Sequence, residues 1–139
     1  EIGNHSWSHP RLKGLTDAAL LAQIDQTSRC IMDATGRRPV IFRPPYGAIS
    51  AHQRRLLHAE RGLPTVLWSV DPQDWRRPGA QVVTRRILDQ VHPGAIVLSH
   101  DIVEGTVAAM PAVLDGLIAR GYAFGTVSEL IAAQFWDGA

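Results

Sequence analysis

The chain alternates between short apolar runs and longer segments in which apolar residues recur every three or four positions. The short runs are almost continuously apolar, which is typical of strands that are buried on both faces of a parallel sheet. We expect such strands at 40–43, 65–70, 95–99 and 122–127. Because strand and helix patterns alternate along the chain, they predict an α/β fold with parallel strands and helical crossovers.

The periodic segments carry local signals for helix ends. Thr16 precedes the first predicted helix, which has Leu20, Ile24 and Ile31 on one side and is closed by Gly36, a residue suited to a left-handed C-cap. The other predicted helices run from Ser50 to near Gly62, through Val83, Ile87 and Val91, through Val107, Met110, Leu114, Leu117 and Ile118 to Gly121, and from Ser128 through Leu130 and Ile131.

Chain length limits the architecture. A closed eight-unit (β/α) barrel needs about 250 residues, or roughly 31 per unit, so 139 residues hold about four or five units. Glu1 to His5 resembles the end of a strand. We therefore expect residues 1–139 to form one partial barrel domain whose N-terminal strands are missing, and an open doubly wound sheet is the alternative.

Composition and charge argue against several classes of protein. The formal net charge of +1, with arginines scattered in doublets, argues against a nucleic-acid binder. No apolar run approaches the roughly 20 residues of a membrane span, so we expect none. The single cysteine, Cys30, excludes an internally disulfide-stapled scaffold but leaves the compartment undecided.

Unusual polar and aromatic clusters follow the predicted strands. Loops after parallel strands meet at one edge of a sheet, so side chains there converge. We therefore expect one functional site from His5-Ser6-Trp7-Ser8-His9, Arg43-Pro44-Pro45-Tyr46-Gly47, Asp71-Pro72-Gln73-Asp74-Trp75 and His100-Asp101.

Each cluster also has a purely structural interpretation. His5 and His9 can bind one metal ion if their segment forms a helical turn, but two loop histidines are equally consistent with the spacing. Arg43 offers donors to a carboxylate or an acyl oxygen, whereas its neighbouring prolines and glycine are typical of turns. Asp74, Trp75 and His100 can equally be a turn acid, a core aromatic residue and a capped histidine.

Taken together, the clusters resemble the NodB-homology polysaccharide deacetylases, carbohydrate esterase family 4. The resemblance implies a distorted (β/α) barrel that removes acetyl groups from N-acetylated glycans such as chitin or peptidoglycan, at the cell envelope or outside the cell. It rests on His5, Ser6 and His9 for the motif His-(Ser/Thr)-x-x-His, Arg43, Pro45 and Tyr46 for Arg-x-Pro-Tyr, Asp71, Asp74 and Trp75 for Asp-x-x-Asp-Trp, and Leu98 to Asp101 for the last motif.

The resemblance also implies a role for each matched residue. His5 and His9 would bind zinc or another divalent ion, and the Tyr46 backbone N–H would help to hold the oxyanion. Trp75 and Leu98 would wall the acetyl pocket. Arg43 would orient the catalytic base, His100 would protonate the departing amine, and Asp74 would hold His100 in place.

One family motif has no match. Thr-Phe-Asp-Asp supplies the base and the third metal ligand in the family, but this sequence contains no adjacent pair of aspartates. We therefore expect the isolated chain to bind metal weakly and to hydrolyse almost nothing, unless an upstream fragment or a partner chain completes the barrel.

Two alternatives stay open. The chain is a noncatalytic carbohydrate-binding remnant if Trp7, Tyr46 and Trp75 stack on sugar rings and the metal is vestigial. It is a NodB-like hydrolase of small cyclic amides if the site serves a compact substrate instead of a glycan.

Overall fold

A computed structural model describes residues 1–136 of the chain. The helices are α1 (Asp17–Thr35), α2 (Ala51–Arg61), α3 (Ala80–Gln90), α4 (Glu104–Ala119) and α5 (Val127–Trp136), with 3-10 turns at Pro45–Gly47 and Asp74–Arg76. The chain divides into two compact units, Glu1–Leu67 and the part from Trp68 onward.

Local caps set the ends of the first two helices. The Thr16 side chain accepts a hydrogen bond from the Ala19 N–H, and Gly36 closes α1 in the left-handed conformation at φ 71°. Ser50 and Gln53 form a reciprocal capping box at the start of α2. The predicted bounds of both helices are therefore confirmed.

Parallel pairing in the first unit is reduced to isolated bridges. Asn4 pairs with Phe42, and Phe42 pairs with Thr65, so the predicted strands at 40–43 and 65–70 each contribute a single bridged position here. Phe42 is fully buried and packs with apolar residues of α1 and α2. The buried residues of this core are Leu12, Leu20, Ile24, Phe42, Leu57 and Leu63.

The second unit is built on the packing of α3 against α4. Val70 pairs with Val97 in a parallel bridge, so the predicted strand at 95–99 contributes a single bridged position. The stripe predicted for α4 is rotated from the buried one, since Val107, Leu114 and Ile118 are exposed. The buried core residues are Val83, Ile87, Ala109, Val113 and Leu117.

The predicted strand at 122–127 is wrong. Thr126 and Glu129 cap a helix instead: the Glu129 carboxylate accepts hydrogen bonds from the Thr126 N–H and hydroxyl, and the Thr126 hydroxyl accepts one from the Glu129 N–H. This capping box starts α5 at Val127, one position before the predicted Ser128.

Within residues 1–136, every β-bridge is parallel and alternates along the chain with helices, as the α/β pattern predicts. Closure into a distorted barrel stays a prediction. None of the helices described combines the length and apolar character that crossing a bilayer requires.

Candidate active site

Backbone pairing brings His5 beside Arg43. The Asn4 N–H donates to the Ile41 carbonyl at 2.9 Å, and the Arg43 N–H donates to the Asn4 carbonyl at 3.0 Å. One residue further on, Nδ1 of His5 donates to the carbonyl oxygen of Arg43. A carbonyl oxygen can only accept, so the neutral ring carries its hydrogen on Nδ1 and its lone pair on Nε2.

The segment between the two histidines is a turn, not the helical turn that their spacing suggested. Ser6 and His9 adopt positive φ values of 68° and 54°. Side chains hold this turn: the Asn4 carbonyl oxygen Oδ1 accepts from the Ser6 N–H, and Oε1 of Gln23 accepts from the N–H groups of Trp7 and Ser8. The ring centroids of His5 and His9 nevertheless lie 4.9 Å apart.

Tyr46 completes the cluster in the first unit. Its ring lies edge-on to His9 at a centroid distance of 4.7 Å, and the Arg11 guanidinium sits 4.8 Å from the Tyr46 ring centroid. Tyr46 occupies the left-handed region at φ 58° within the Pro45–Gly47 turn. A non-glycine residue held in this region is a strained backbone position of the kind that clusters at functional sites.

The first unit therefore brings together His5, His9 and Tyr46 with the backbone of Arg43. Zinc sites use imidazole nitrogens, and a ligating histidine commonly donates its other ring N–H to a carbonyl or carboxylate. The His5 hydrogen bond has that form. Among residues 1–136, however, no three His, Cys, Asp or Glu side chains gather closely enough to hold a metal ion by themselves.

The second unit holds a buried carboxylate, Asp74. Its Oδ1 atom accepts from His100 Nδ1 at 2.8 Å and from the Trp75 N–H at 2.9 Å. Its Oδ2 atom accepts from the His100 N–H at 2.7 Å and from the Thr106 hydroxyl at 2.8 Å. The side chain of Asp74 is completely shielded from solvent, whereas that of His100 is 25% exposed.

These contacts favour the ionised form of Asp74. Burial by itself raises the pKa of the carboxyl group, but the hydrogen bonds from His100 and Thr106, together with the charge of His100, lower the pKa below its usual value. A carboxylate that accepts from Nδ1 leaves Nε2 of the imidazolium as the ring atom that can deliver a proton. The pair is therefore suited to general acid catalysis.

The loop before Asp74 is set by contacts that the motif does not reveal. Oδ1 of Asp71 accepts from the Gln73 N–H at 2.8 Å, and Arg86 on α3 donates to the Pro72 carbonyl at 2.9 Å. Gln73 takes a positive φ of 53°. This backbone turns Asp74 inward and leaves Trp75 exposed.

The remaining predicted pocket residues differ in exposure. Trp75 is 53% exposed and its ring lies 4.8 Å from the Arg76 guanidinium, whereas Leu98 is buried. The Leu98 N–H donates to the Val70 carbonyl, which ties Leu98 to the bridged segment. An exposed tryptophan beside a cation can offer its ring face to a ligand.

Sequence reasoning missed Asn4, Gln23, Arg86 and Thr106. The Asn4 amide group donates to the Ile24 carbonyl and to the Ser28 hydroxyl, while Gln23 holds the turn between the histidines. Thr106 shares the buried face of α4 with apolar residues, and that polar position in an apolar stripe was the signal available for it. The other three residues left no comparable pattern in the sequence.

The chain is similar in sequence to members of a known family. The sequence model of the polysaccharide deacetylase family matches residues 1–64. The peptidoglycan-N-acetylglucosamine deacetylase PgdA of Listeria monocytogenes is 38% identical over 143 aligned residues, which cover 99% of this chain. The chain spans 30% of the length of that relative.

Solved structures agree with the sequence matches. The peptidoglycan deacetylase PdaC of Bacillus subtilis superposes with a TM-score of 0.90 at 35% identity, covering 99% of this chain and 66% of that protein. A CE4 family pseudoenzyme from Bacillus anthracis gives a TM-score of 0.87 at 35% identity, covering 94% and 46%. The chain belongs to the polysaccharide deacetylase family, carbohydrate esterase family 4.

Proposed function

We propose that residues 1–139 are part of a deacetylase domain, folded as part of a distorted (β/α) barrel, that hydrolyses acetyl groups from N-acetylated glycans of the peptidoglycan or chitin type. The observation that carries the proposal is the buried Asp74 carboxylate bonded to Nδ1 of the partly exposed His100. This pair supplies a proton donor where amide hydrolysis needs one, because an amine leaves as a neutral molecule and not as an anion.

A divalent metal ion, zinc in the first instance, fits the chemistry of the first cluster. His5 and His9 would hold it, and the hydrogen bond from His5 Nδ1 to the Arg43 carbonyl places the ring's lone pair on the nitrogen used for ligation. When bound, such an ion acts as a Lewis acid on the acetyl carbonyl. Two imidazoles are part of the three-ligand set of a hydrolytic zinc site.

The chain's own residues account for binding and proton delivery. A carboxylate base takes one proton from water as the water oxygen adds to the acetyl carbon. The carbon–nitrogen bond then breaks, Nε2 of His100 transfers its proton to the departing amine, and acetate and a free amino sugar form. Asp74 keeps the His100 ring oriented during this transfer. The Tyr46 N–H donates to the oxyanion, Trp75 and Leu98 wall the acetyl pocket, and Arg43 orients a carboxylate base that the motifs quoted above do not supply.

The names of the relatives support a glycan substrate. The Listeria and Bacillus subtilis proteins are peptidoglycan deacetylases by name, and peptidoglycan lies in the cell envelope. We therefore assign this chain to the cell envelope or the exterior. We propose no nucleic-acid partner, because a net charge of +1 gives little attraction for a polyanion.

The test is acetate release from an N-acetylglucosamine oligomer. The chain is assayed by itself and after fusion to a segment of a family member that carries Thr-Phe-Asp-Asp, in each case with zinc and with a chelator. We expect little release from the chain by itself, and zinc-dependent release from the fusion that His100→Ala abolishes and His92→Ala leaves intact. A folded fusion that releases no acetate from chitin or peptidoglycan oligomers would overturn the proposal.

A second candidate is a noncatalytic carbohydrate-binding protein. Trp7, Tyr46 and Trp75 are at least half exposed, and the similarity to a CE4 family pseudoenzyme shows that this fold also occurs without the activity. This candidate predicts saccharide binding that is unaffected by chelator, together with no acetate release from the fusion.

A further inference from the structure

The Thr106 hydroxyl lies against the same oxygen of Asp74 that accepts the His100 backbone N–H. The distance from Thr106 Oγ1 to Asp74 Oδ2 is 2.8 Å, and Thr106 is 2% exposed. The carboxylate accepts, so the hydroxyl donates. No motif used above includes Thr106.

Thr106 reaches Asp74 from the first turn of α4, which begins at Glu104. Val103 at the N-cap position makes no side-chain capping hydrogen bond. The Asp74 carboxylate contacts this first turn by accepting the hydrogen bond from the Thr106 hydroxyl. The positive end of the helix dipole favours a negative charge there. The same turn therefore fixes both the position and the ionisation of the carboxylate.

Each oxygen of the Asp74 carboxylate accepts two of the four hydrogen bonds. On Oδ1, the Trp75 N–H and His100 Nδ1 meet the atom that faces the imidazole. On Oδ2, the His100 N–H and the Thr106 hydroxyl prevent the carboxylate from rotating about its Cβ–Cγ bond. A hydrogen bond to a charged group in a site shielded from solvent is worth more than one between neutral groups.

We propose that Thr106 is a positioning residue of the deacetylase: its hydroxyl keeps Asp74 ionised and turned so that Oδ1 holds the His100 ring. This rests on the proposed function for its catalytic consequence, whereas the effect on Asp74 itself is a property of the folded chain. Thr106 touches no substrate atom in this assignment and acts through Asp74.

The test compares three single substitutions. Thr106→Val keeps the shape of the side chain and removes the hydroxyl, while Thr106→Ser keeps the hydroxyl. Thr84→Val is the matched control, because the Thr84 hydroxyl on α3 donates to the Ala80 carbonyl at 3.0 Å and not to Asp74. Circular dichroism establishes that each variant is folded.

The readout is the titration of the Asp74 carboxyl carbon by NMR. We expect the pKa of Asp74 to rise in Thr106→Val, because the hydrogen bond that favours the charged form is lost, and to stay close to the wild-type pKa in Thr106→Ser and Thr84→Val. A folded Thr106→Val variant with an unchanged Asp74 titration would overturn the proposal. The ionisable groups on the elements around Asp74 include Asp71, Arg76 and Arg77 of its own loop, Arg85, Arg86 and Asp89 of α3, and His100, Asp101 and Glu104.

A wild-type measurement covers the case in which Thr106→Val does not fold. The hydroxyl proton of Thr106 should shift with the same midpoint as the Asp74 carboxyl carbon, and a proton that does not respond across that midpoint would contradict the assignment. In the active fusion, Thr106→Val should lower kcat roughly tenfold with little change in KM, and Thr106→Ser should restore it. If no fusion releases acetate, the proposed function fails, while the NMR titration still decides the role of Thr106.

Discussion

Nδ1 of His100 lies 2.8 Å from Oδ1 of Asp74, across 26 positions of sequence, and the carboxylate is completely buried. The contact couples a group that can move a proton to a charge that solvent does not screen. In the proposed function, Asp74 is the orienting partner and His100 presents Nε2 to the substrate.

Asp74→Asn tests this relationship in the active fusion. An amide has a donor where the carboxylate has an acceptor, and it carries no charge to stabilise the imidazolium. We expect kcat to fall about a hundredfold or more, with the alkaline limb of the pH–rate profile displaced to lower pH. Steady-state kinetics across pH measure both effects, and an unchanged profile in a folded variant would show that the pairing has no catalytic role.

The lowered pKa of Asp74 also predicts acid sensitivity. The folded chain holds the proton less tightly than the unfolded chain does, so the contribution of Asp74 to stability is complete above the ordinary aspartate pKa of about 4 and is lost as pH falls below it. Urea unfolding at several pH values should show a stability that declines in this acidic range. Asp74→Asn should flatten the decline, and equal pH slopes for the two proteins would contradict the expectation.

Zinc binding tests the first cluster. We expect His5→Ala and His9→Ala each to weaken zinc binding at least about tenfold, because each removes a proposed imidazole ligand. Loss of a residue that only hydrogen-bonds to a metal ligand already lowers metal affinity by about tenfold or more. His52→Ala is the control, because His52 pairs with Asp17 on the protein surface. Isothermal titration calorimetry measures the affinities. Equal affinities for the His5→Ala variant and the control would remove His5 from the metal site.

Phe42 tests the core that aligns the first cluster. It bridges the segments of Asn4 and Thr65 and is fully buried, so Phe42→Ala should lower the free energy of unfolding by about 3–5 kcal/mol. Val40→Ala, in the same segment but 51% exposed, should change it by less than about 0.5 kcal/mol. Urea unfolding measures both, and a small loss for Phe42→Ala would mean that the bridged segments do not depend on this core.

Local signals made the helices predictable. Thr16 and Ser50 accept hydrogen bonds from residues three positions ahead, and Gly36 and Gly62 take the left-handed conformation, so these ends depend on residues that are neighbours in sequence. Segment 122–127, where the predicted strand is wrong, also depends on a local signal. Its apolar run has no clear period, and the Thr126 and Glu129 box settled the segment as the entry to α5.

The sequence by itself determined the family, through motifs whose residues stand at fixed spacing, and the α/β order of the elements. Tertiary structure decided how those residues are held. Gln23 closes the turn between the histidines from 15 or 16 positions away, and Thr106 meets Asp74 from 32 positions away. Such contacts depend on how helices and loops pack, and spacing along the chain carries no information about them.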